Sequence, residues 1–328
     1  MKGALVFLAA ALAAAPVHAQ DSPGGTTRAE VSIAGGAVRY PESNRWEARI
    51  TGRDGTLRYV LSREVPFDVQ FPSVRVEDEG WCVVASGNEG WVEWYDANGS
   101  LVRSWRPFAS PVPEYERVLK TAVGSGRTGV LLSEPGSGAS RAVLTDAAGD
   151  ILWTHALPYP HAGEISLAAD GRFLLAGSYD TSVPPRTATV LLDAAGVEVW
   201  TREGMFRHAD VDAVQGRVAL GDRSGVTILP TAPGGSAAVW RTGSPAEVVS
   251  AVRWAGERLA VAAEEVSVGE EGPRYVSTSL VILDRAGREL ERRTVRVSSA
   301  APATLHPADG GVELRSGAGR SLRVPIPR

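Results

Sequence analysis

The chain has 328 residues, 44% hydrophobic and 22% charged, with 34 Lys and Arg against 38 Asp and Glu and a formal net charge of −4. Both signs of charge are interspersed, and no basic stripe offers itself to phosphates, which argues against nucleic acid as a partner. A single cysteine, Cys82, leaves no internal disulfide, so the fold has to rest on core burial. Cys82 lies in the apolar stretch Trp81-Cys82-Val83-Val84 and reads as a small buried hydrophobe.

At the start, Lys2 precedes a continuous apolar run from Ala4 to Ala15, and Val17-His18-Ala19 offers small or tolerated residues to a signal peptidase. This layout predicts a secretory signal over residues 1–19, with cleavage after Ala19 and Gln20 as the first mature residue. The run is too short to span a bilayer, and no later run is long enough. No cysteine follows the cleavage point to carry a lipid. The expectation is therefore a protein exported to the periplasm or beyond, with no membrane span and no lipid anchor. The Gly-, Ser-, Thr- and Asp-rich stretch after residue 19 predicts a flexible lead-in over 20–28, ahead of one domain covering 29–328.

In the mature part, no twelve-residue stretch places apolar residues at helical spacing. Short runs recur instead, such as Trp81–Ala85, Val130–Ser133, Phe173–Ala176, Val218–Leu220 and Leu259–Ala262, each following a turn. The turns are periodic. Gly36, Gly80, Gly126, Gly171, Gly216, Gly256 and Gly310 are separated by 44, 46, 45, 45, 40 and 54 residues. A second series, Gly55, Gly99, Gly149, Gly196, Gly235, Gly287 and Gly319, runs in step with it. Two turns per unit join four strands into a small antiparallel sheet, which cannot bury both faces alone. The period predicts an all-β protein, a single β-propeller of about seven four-stranded blades. Only Arg320–Ile326 follows the last turn before the end of the chain, so a strand from the N-terminus is expected to complete that unit, which leaves six blades open.

Two units are near copies: Asp146-Ala147-Ala148-Gly149-Asp150-Ile151-Leu152-Trp153 and Asp193-Ala194-Ala195-Gly196-Val197-Glu198-Val199-Trp200. They resemble the repeat of pyrroloquinoline-quinone-like propellers, a group that includes quinoprotein dehydrogenases and the scaffold of outer-membrane barrel assembly. The resemblance implies that the Trp ending the outer strand docks each blade on the next. Trp105, Trp153, Trp200 and Trp240 stand at or near that place, with Tyr59 in the first unit. The chain departs from the dehydrogenases in its length and its lack of adjacent cysteines, and from the assembly scaffold in its lack of a lipid-bearing cysteine. Neither function carries over, and no cofactor is expected.

Chemistry is expected on the innermost strands, which line the channel and precede the first turn of each unit. Ser73 and Arg75, Glu116 and Arg117, Glu164 and Ser166, and Glu247 and Ser250 fall there. The richest segment is His208-Ala209-Asp210-Val211-Asp212, where alternation puts His208, Asp210 and Asp212 on one face. With Glu164 and Glu116 they form the candidate ligand face, suited to a metal or to acid-base work. A solvated wall is the plainer reading, because water fills a propeller channel. Unit alignment separates His306 from His161 and His208, against a zinc triad. Glu264-Glu265 and Glu270-Glu271 read as a solvated hairpin, and Asn98-Gly99-Ser100 as turn chemistry. No nucleophile elbow, zincin motif or phosphate loop is present. The leading expectation is a non-catalytic scaffold that binds a protein or a small polar ligand. The alternatives are a lyase, hydrolase or lactonase working at the channel, and a quinone or small-ligand binder.

Overall fold

Runs of Val, Leu, Ile and Trp broken by glycine turns form 27 strands and no helix among the described residues. A computed structural model describes residues 18–34, 44–65, 72–87, 89–108, 118–134, 138–269, 272–299, 301–308, 311–316 and 321–325. The strands make seven antiparallel sheets in chain order, six of four strands and one of three. Blade 1 holds β1 (His18–Asp21), β2 (Thr27–Ala34), β3 (Asn44–Gly52) and β4 (Leu57–Val65). Blade 2 holds β5 (Ser73–Val76), β6 (Cys82–Ser86), β7 (Trp91–Tyr95) and β8 (Leu101–Trp105). Blade 3 holds β9 (Val118–Gly124), β10 (Arg127–Glu134), β11 (Ala139–Asp146) and β12 (Ile151–Ala156). Blade 4 holds β13 (His161–Leu167), β14 (Phe173–Tyr179), β15 (Thr187–Asp193) and β16 (Glu198–Glu203). Blade 5 holds β17 (His208–Asp212), β18 (Arg217–Gly221), β19 (Gly225–Pro230) and β20 (Ala238–Arg241). Blade 6 holds β21 (Glu247–Ala255), β22 (Arg258–Gly269), β23 (Gly272–Leu283) and β24 (Glu289–Ser299). Blade 7 holds β25 (Thr304–Ala308), β26 (Gly311–Arg315) and β27 (Ser321–Pro325).

The first strand of each blade touches the first strand of the next, from β1 through β5, β9, β13, β17 and β21 to β25. The circle closes where His306 of β25 bonds the carboxylate of Asp21 in β1. These seven strands surround the channel, so the count is seven. The fold differs from expectation at its start. Residues 20–28 are no loose lead-in: Gln20 and Asp21 pair with Ala29 and Arg28, and Ser22 and Thr27 are fully buried. The first turn of blade 1 is at Gly25, in the left-handed region at φ +73°, and not at Gly36, which falls between β2 and β3. β1 is the inner strand of blade 1, so the strand expected to complete the last blade from the N-terminus is not supplied by any described residue. Residues 1–17, Gly36, Gly310 and Gly319 lie outside the described residues.

Four of the outer turns share one chemistry. In Asp96–Ser100, Asp146–Asp150, Asp193–Val197 and Asp284–Arg288, the aspartate Oδ1 accepts from the backbone N–H groups two and four residues on, at 2.8–3.0 Å. The glycine at the fourth position takes φ between +74° and +80°, where any side chain is strained. Its bare surface is also the docking plate for the previous blade. A Cβ on Gly196 would stand 2.7 Å from the Trp153 ring, whose Nε1 donates to the Ala194 carbonyl at 3.1 Å. Tyr59 lies the same way on Gly99, and its hydroxyl donates to the Gly80 carbonyl at 2.6 Å.

The remaining tryptophans vary the arrangement. The residue four beyond Gly99 is Arg103, and Gly149 is covered by Arg103 and Trp94, not by Trp105. Trp105 instead lies 6.4 Å from Trp94, centroid to centroid. Trp240 Nε1 donates to Glu289 of blade 6 at 3.1 Å. Trp200 is buried among Leu175, Phe206, Val211 and Val218. Six such clusters, each drawing on facing sheets of neighbouring blades, make up the core. Cys82 is wholly buried in one of them, and burial pushes its thiol up to about 12.

Blade 1 is tied to blade 2 through Asp78. Its carboxylate accepts from the Ser22 hydroxyl, from Gly24 N–H at 2.9 Å and from the Thr26 hydroxyl at 2.8 Å. Burial alone raises this carboxyl, but the hydrogen bonds from Ser22, Thr26 and Gly24 outweigh it and hold it below 3.8.

Replacing the half-buried docking indole by Trp153→Ala is expected to cost about 1–3 kcal/mol in chemical denaturation, less than a fully buried large aromatic would. Asp78→Ala is expected to cost about 1–3 kcal/mol at neutral pH, because charge-assisted hydrogen bonds are lost. Since the native carboxyl is depressed, that stability is present above 3.8 and fades as pH falls through the native value. A difference between parent and variant that persists undiminished at pH 2 refutes the assignment.

Candidate functional site

The channel wall divides into two halves. Where the innermost strands begin, Lys120 of β9 and Glu164 of β13 form an ion pair at 2.6 Å. His208, the first residue of β17, is near enough for Glu164 to raise its imidazole. Burial acts more strongly, with Arg207 adding to it, and the ring is held below 6.5. Glu164 and His208 thus share one region, with Glu164 already committed to Lys120. Glu116 and Arg117 lie outside the described residues.

Where the innermost strands end, the channel opens into a cavity of about 250 Å3 lined by Gln20, Arg75, Thr121, Ser166, Asp210 and Arg253, among others. Arg75 Nε donates to the Thr121 carbonyl at 3.1 Å, and its Nη1 donates to Gln20 Oε1. Arg253 Nη2 donates to the Pro23 carbonyl. Among the described residues each guanidinium is therefore held by carbonyl or amide oxygens, with no carboxylate at ion-pair distance. Burial pushes Arg75 below its ordinary value, and Glu164 opposes that push. Asp210 accepts from Trp254 N–H at 2.6 Å and from Val211 N–H at 3.0 Å. Burial raises its carboxyl above 3.8 despite the lowering by Arg253 and these two bonds.

Asp212 does not join this cavity. Its carboxylate pairs with Arg217 Nη2 at 2.9 Å, and the same nitrogen donates to the Gly256 carbonyl in the first turn of blade 6. The Arg217 guanidinium also stacks over Trp254, 4.3 Å from the ring centroid. The face drawn from strand alternation therefore serves three purposes: His208 near Glu164, Asp210 in the cavity, and Asp212 in a tie between blades. His306 is the third residue of β25 and bonds Thr304 and Asp21, whereas His161 and His208 are first in their strands. No group of three or more His, Cys, Asp or Glu side chains among the described residues is placed to hold a metal ion.

Glu264 departs from its solvated reading. It is 0% exposed within β22 and accepts from the Thr278 hydroxyl at 3.0 Å and from Ala303 N–H at 2.9 Å. Glu270 and Glu271 lie outside the described residues. The sequence reading omitted Arg253 and Gln20. A β-bulge between Val249 and Ala251 shifts the alternation of β21, so counting by twos along that strand misplaces Arg253. Gln20 was hidden by the reading of its segment as a lead-in.

Because the Asp210 carboxyl is raised, its favourable contribution is complete below 3.8 and is lost as pH rises through the native value. The melting temperature of Asp210→Asn relative to the parent is therefore expected to rise between pH 3 and pH 7, from a level lowered by the acceptor that an amide lacks, since both carboxylate oxygens take a backbone N–H. A relative melting temperature that stays flat or falls over that range overturns this account.

No protein-family model matches the sequence, and no curated protein matches it. Solved structures do match the fold. The chain described as the structure of the Dos1 propeller is 10% identical with a TM-score of 0.59, over 93% of this chain and 77% of that one. A chain of the Mitotic Checkpoint Complex is 14% identical with a TM-score of 0.60, over 99% and 97%. A chain from the complex of KlAtg21 with the coiled-coil of AgAtg16 is 12% identical with a TM-score of 0.65, over 96% and 95%. At these identities the likeness is one of fold, and the fold is the β-propeller.

Proposed function

We propose that this is an exported propeller acting as a protein-interaction scaffold. The observation that carries the proposal is the face bearing the loops between second and third strands. There β22 and β23, twelve residues each, pair out to Gly269 and Gly272 and leave Val268 80% exposed. On the same face Val183 is 99% exposed. Its loop is fixed by Asp180, which accepts from Ser182 N–H at 3.2 Å, Arg186 N–H at 2.9 Å and Arg186 Nε at 2.6 Å. A loop held before contact loses little entropy on binding. Two of the candidate acid-base groups are meanwhile engaged, Glu164 with Lys120 and Asp212 with Arg217. Two of the structural neighbours were solved as parts of protein complexes, which favours the same reading.

The leader and the repeat belong to this proposal. Residues 1–19 support export by their signal layout, and the near-copy turns at Asp146–Trp153 and Asp193–Trp200 support a pyrroloquinoline-quinone-like repeat. Mass spectrometry of exported protein is expected to find Gln20 first, and retention of Met1 refutes export by cleavage. Crosslinking in the exporting cell is expected to recover a discrete protein partner that Val183→Asp combined with Val268→Asp loses. Turnover of an ester, lactone or polysaccharide that Asp210→Asn abolishes would establish the enzyme alternative instead.

A further inference from the structure

The cavity at the exit of the channel concentrates charge in an unusual way. Two guanidinium groups, which stay protonated throughout the accessible pH range, open on it without a carboxylate partner among the described residues. One carboxyl, Asp210, opens on the same space and is bonded only to backbone N–H groups. Thr121, 3% exposed and on the same wall, has a hydroxyl without a partner among the described residues. Asp21 also borders the cavity, but its carboxylate is engaged by His306 and lies 3.6 Å from Arg315. Charged groups withdrawn from water are costly unless something pairs with them. Here each is fixed by bonds to backbone or amide, with no direct ion pair among the described residues. A binding site holds its groups in this preorganised way.

The sign pattern restricts the occupant. Two arginines repel a metal ion or a simple amine, and Asp210 opposes a purely anionic ligand. A molecule carrying both a carboxylate and an ammonium satisfies all three groups. The volume, about 250 Å3, lies below the range of drug-sized pockets and suits a small molecule. We propose that the exit cavity binds a free amino acid or a similarly small zwitterion. Arg75 and Arg253 take the carboxylate, through the forked geometry that guanidinium groups offer carboxylates, and Asp210 takes the ammonium. The site is separate from the loop face assigned to protein binding, and neither proposal depends on the other.

The test compares ligands that differ by one charge. Exported protein is titrated calorimetrically with the free amino acids, each against its analogue lacking the amino group, such as alanine against propionate. Phosphate and ethylamine serve as single-charge controls. At least one amino acid is expected to bind with 1:1 stoichiometry, at least tenfold tighter than its des-amino analogue, and to raise the melting temperature. Arg253→Gln and Arg75→Gln are expected to weaken it at least tenfold, and Asp210→Asn to abolish the preference for the amino acid over its analogue. Equal affinity for alanine and propionate, or phosphate binding as tight as any amino acid, overturns the zwitterion assignment. So does the absence of binding by every amino acid. Should an arginine variant fail to fold, the comparison on the parent protein still decides. Recovery of a crosslinked protein partner is unaffected by any of these results, so failure here is distinguishable from failure of the scaffold proposal.

Discussion

Everything in this fold depends on one constraint: a sheet of four short strands has two apolar faces and can cover neither by itself. The solution repeated around the ring is local and directional. In the turns that begin at Asp96, Asp146, Asp193 and Asp284 the aspartate organises the next four residues and a left-handed glycine presents bare backbone, and on Gly99, Gly149 and Gly196 the preceding blade lays an aromatic ring. The same aspartate–glycine pair thus shapes the hairpin and prepares the contact between blades. Side chain at the glycine would fail twice, by strain in the backbone and by collision with an indole 2.7 Å away.

A ring built by docking neighbours still needs its two ends joined, and this seam is held by a cluster of charged side chains. Asp21 of β1 meets His306 of β25, with Arg315 at 3.6 Å and Arg28 at 3.9 Å. Just beyond it, Ser22, Gly24 and Thr26 wrap the carboxylate of Asp78. Two aspartates therefore anchor the beginning of the chain, one to the last blade and one to the second. Each keeps a depressed carboxyl because its hydrogen bonds, joined at Asp21 by the charges of His306, Arg28 and Arg315, outweigh the effect of burial. Acid should consequently act on the seam before it acts on the tryptophan contacts.

How much of this was legible depended on whether the determining interactions were local. The outer turns were readable because aspartate, glycine and the docking aromatic fall within nine residues of sequence, as in Asp193–Trp200 and Asp146–Trp153. Blade 1 was misread because the meaning of His18–Asp21 lies in partners far along the chain: Arg75 for Gln20, and His306 for Asp21. Gly36 happened to stand at nearly the right spacing, so the period was extended to the wrong turn. On the candidate site, alternation grouped His208, Asp210 and Asp212, but alternation is silent about which partners stand opposite. Arg217, arriving from the next strand, removes Asp212 from the channel, and the bulge in β21 turns Arg253 into it.

The contrast between Asp210 and Asp212 shows how a propeller separates architecture from chemistry within a single strand. Asp210 reaches across to the Trp254 N–H of blade 6, whereas Asp212, two residues on, turns to Arg217 of its own blade. Asp212 finds a guanidinium and becomes a fastening, with Arg217 spread across the Gly256 and Glu257 carbonyls and the Trp254 ring. Among the described residues Asp210 bonds only N–H groups, keeps a raised carboxyl, and stands where Arg253 and Arg75 likewise make no direct ion pair. Ion pairs between blades are satisfied internally and leave nothing for a ligand. At the exit cavity opposite charges are brought to one space without a direct ion pair among the described residues, and that separation is what a ligand with two charges of its own can resolve.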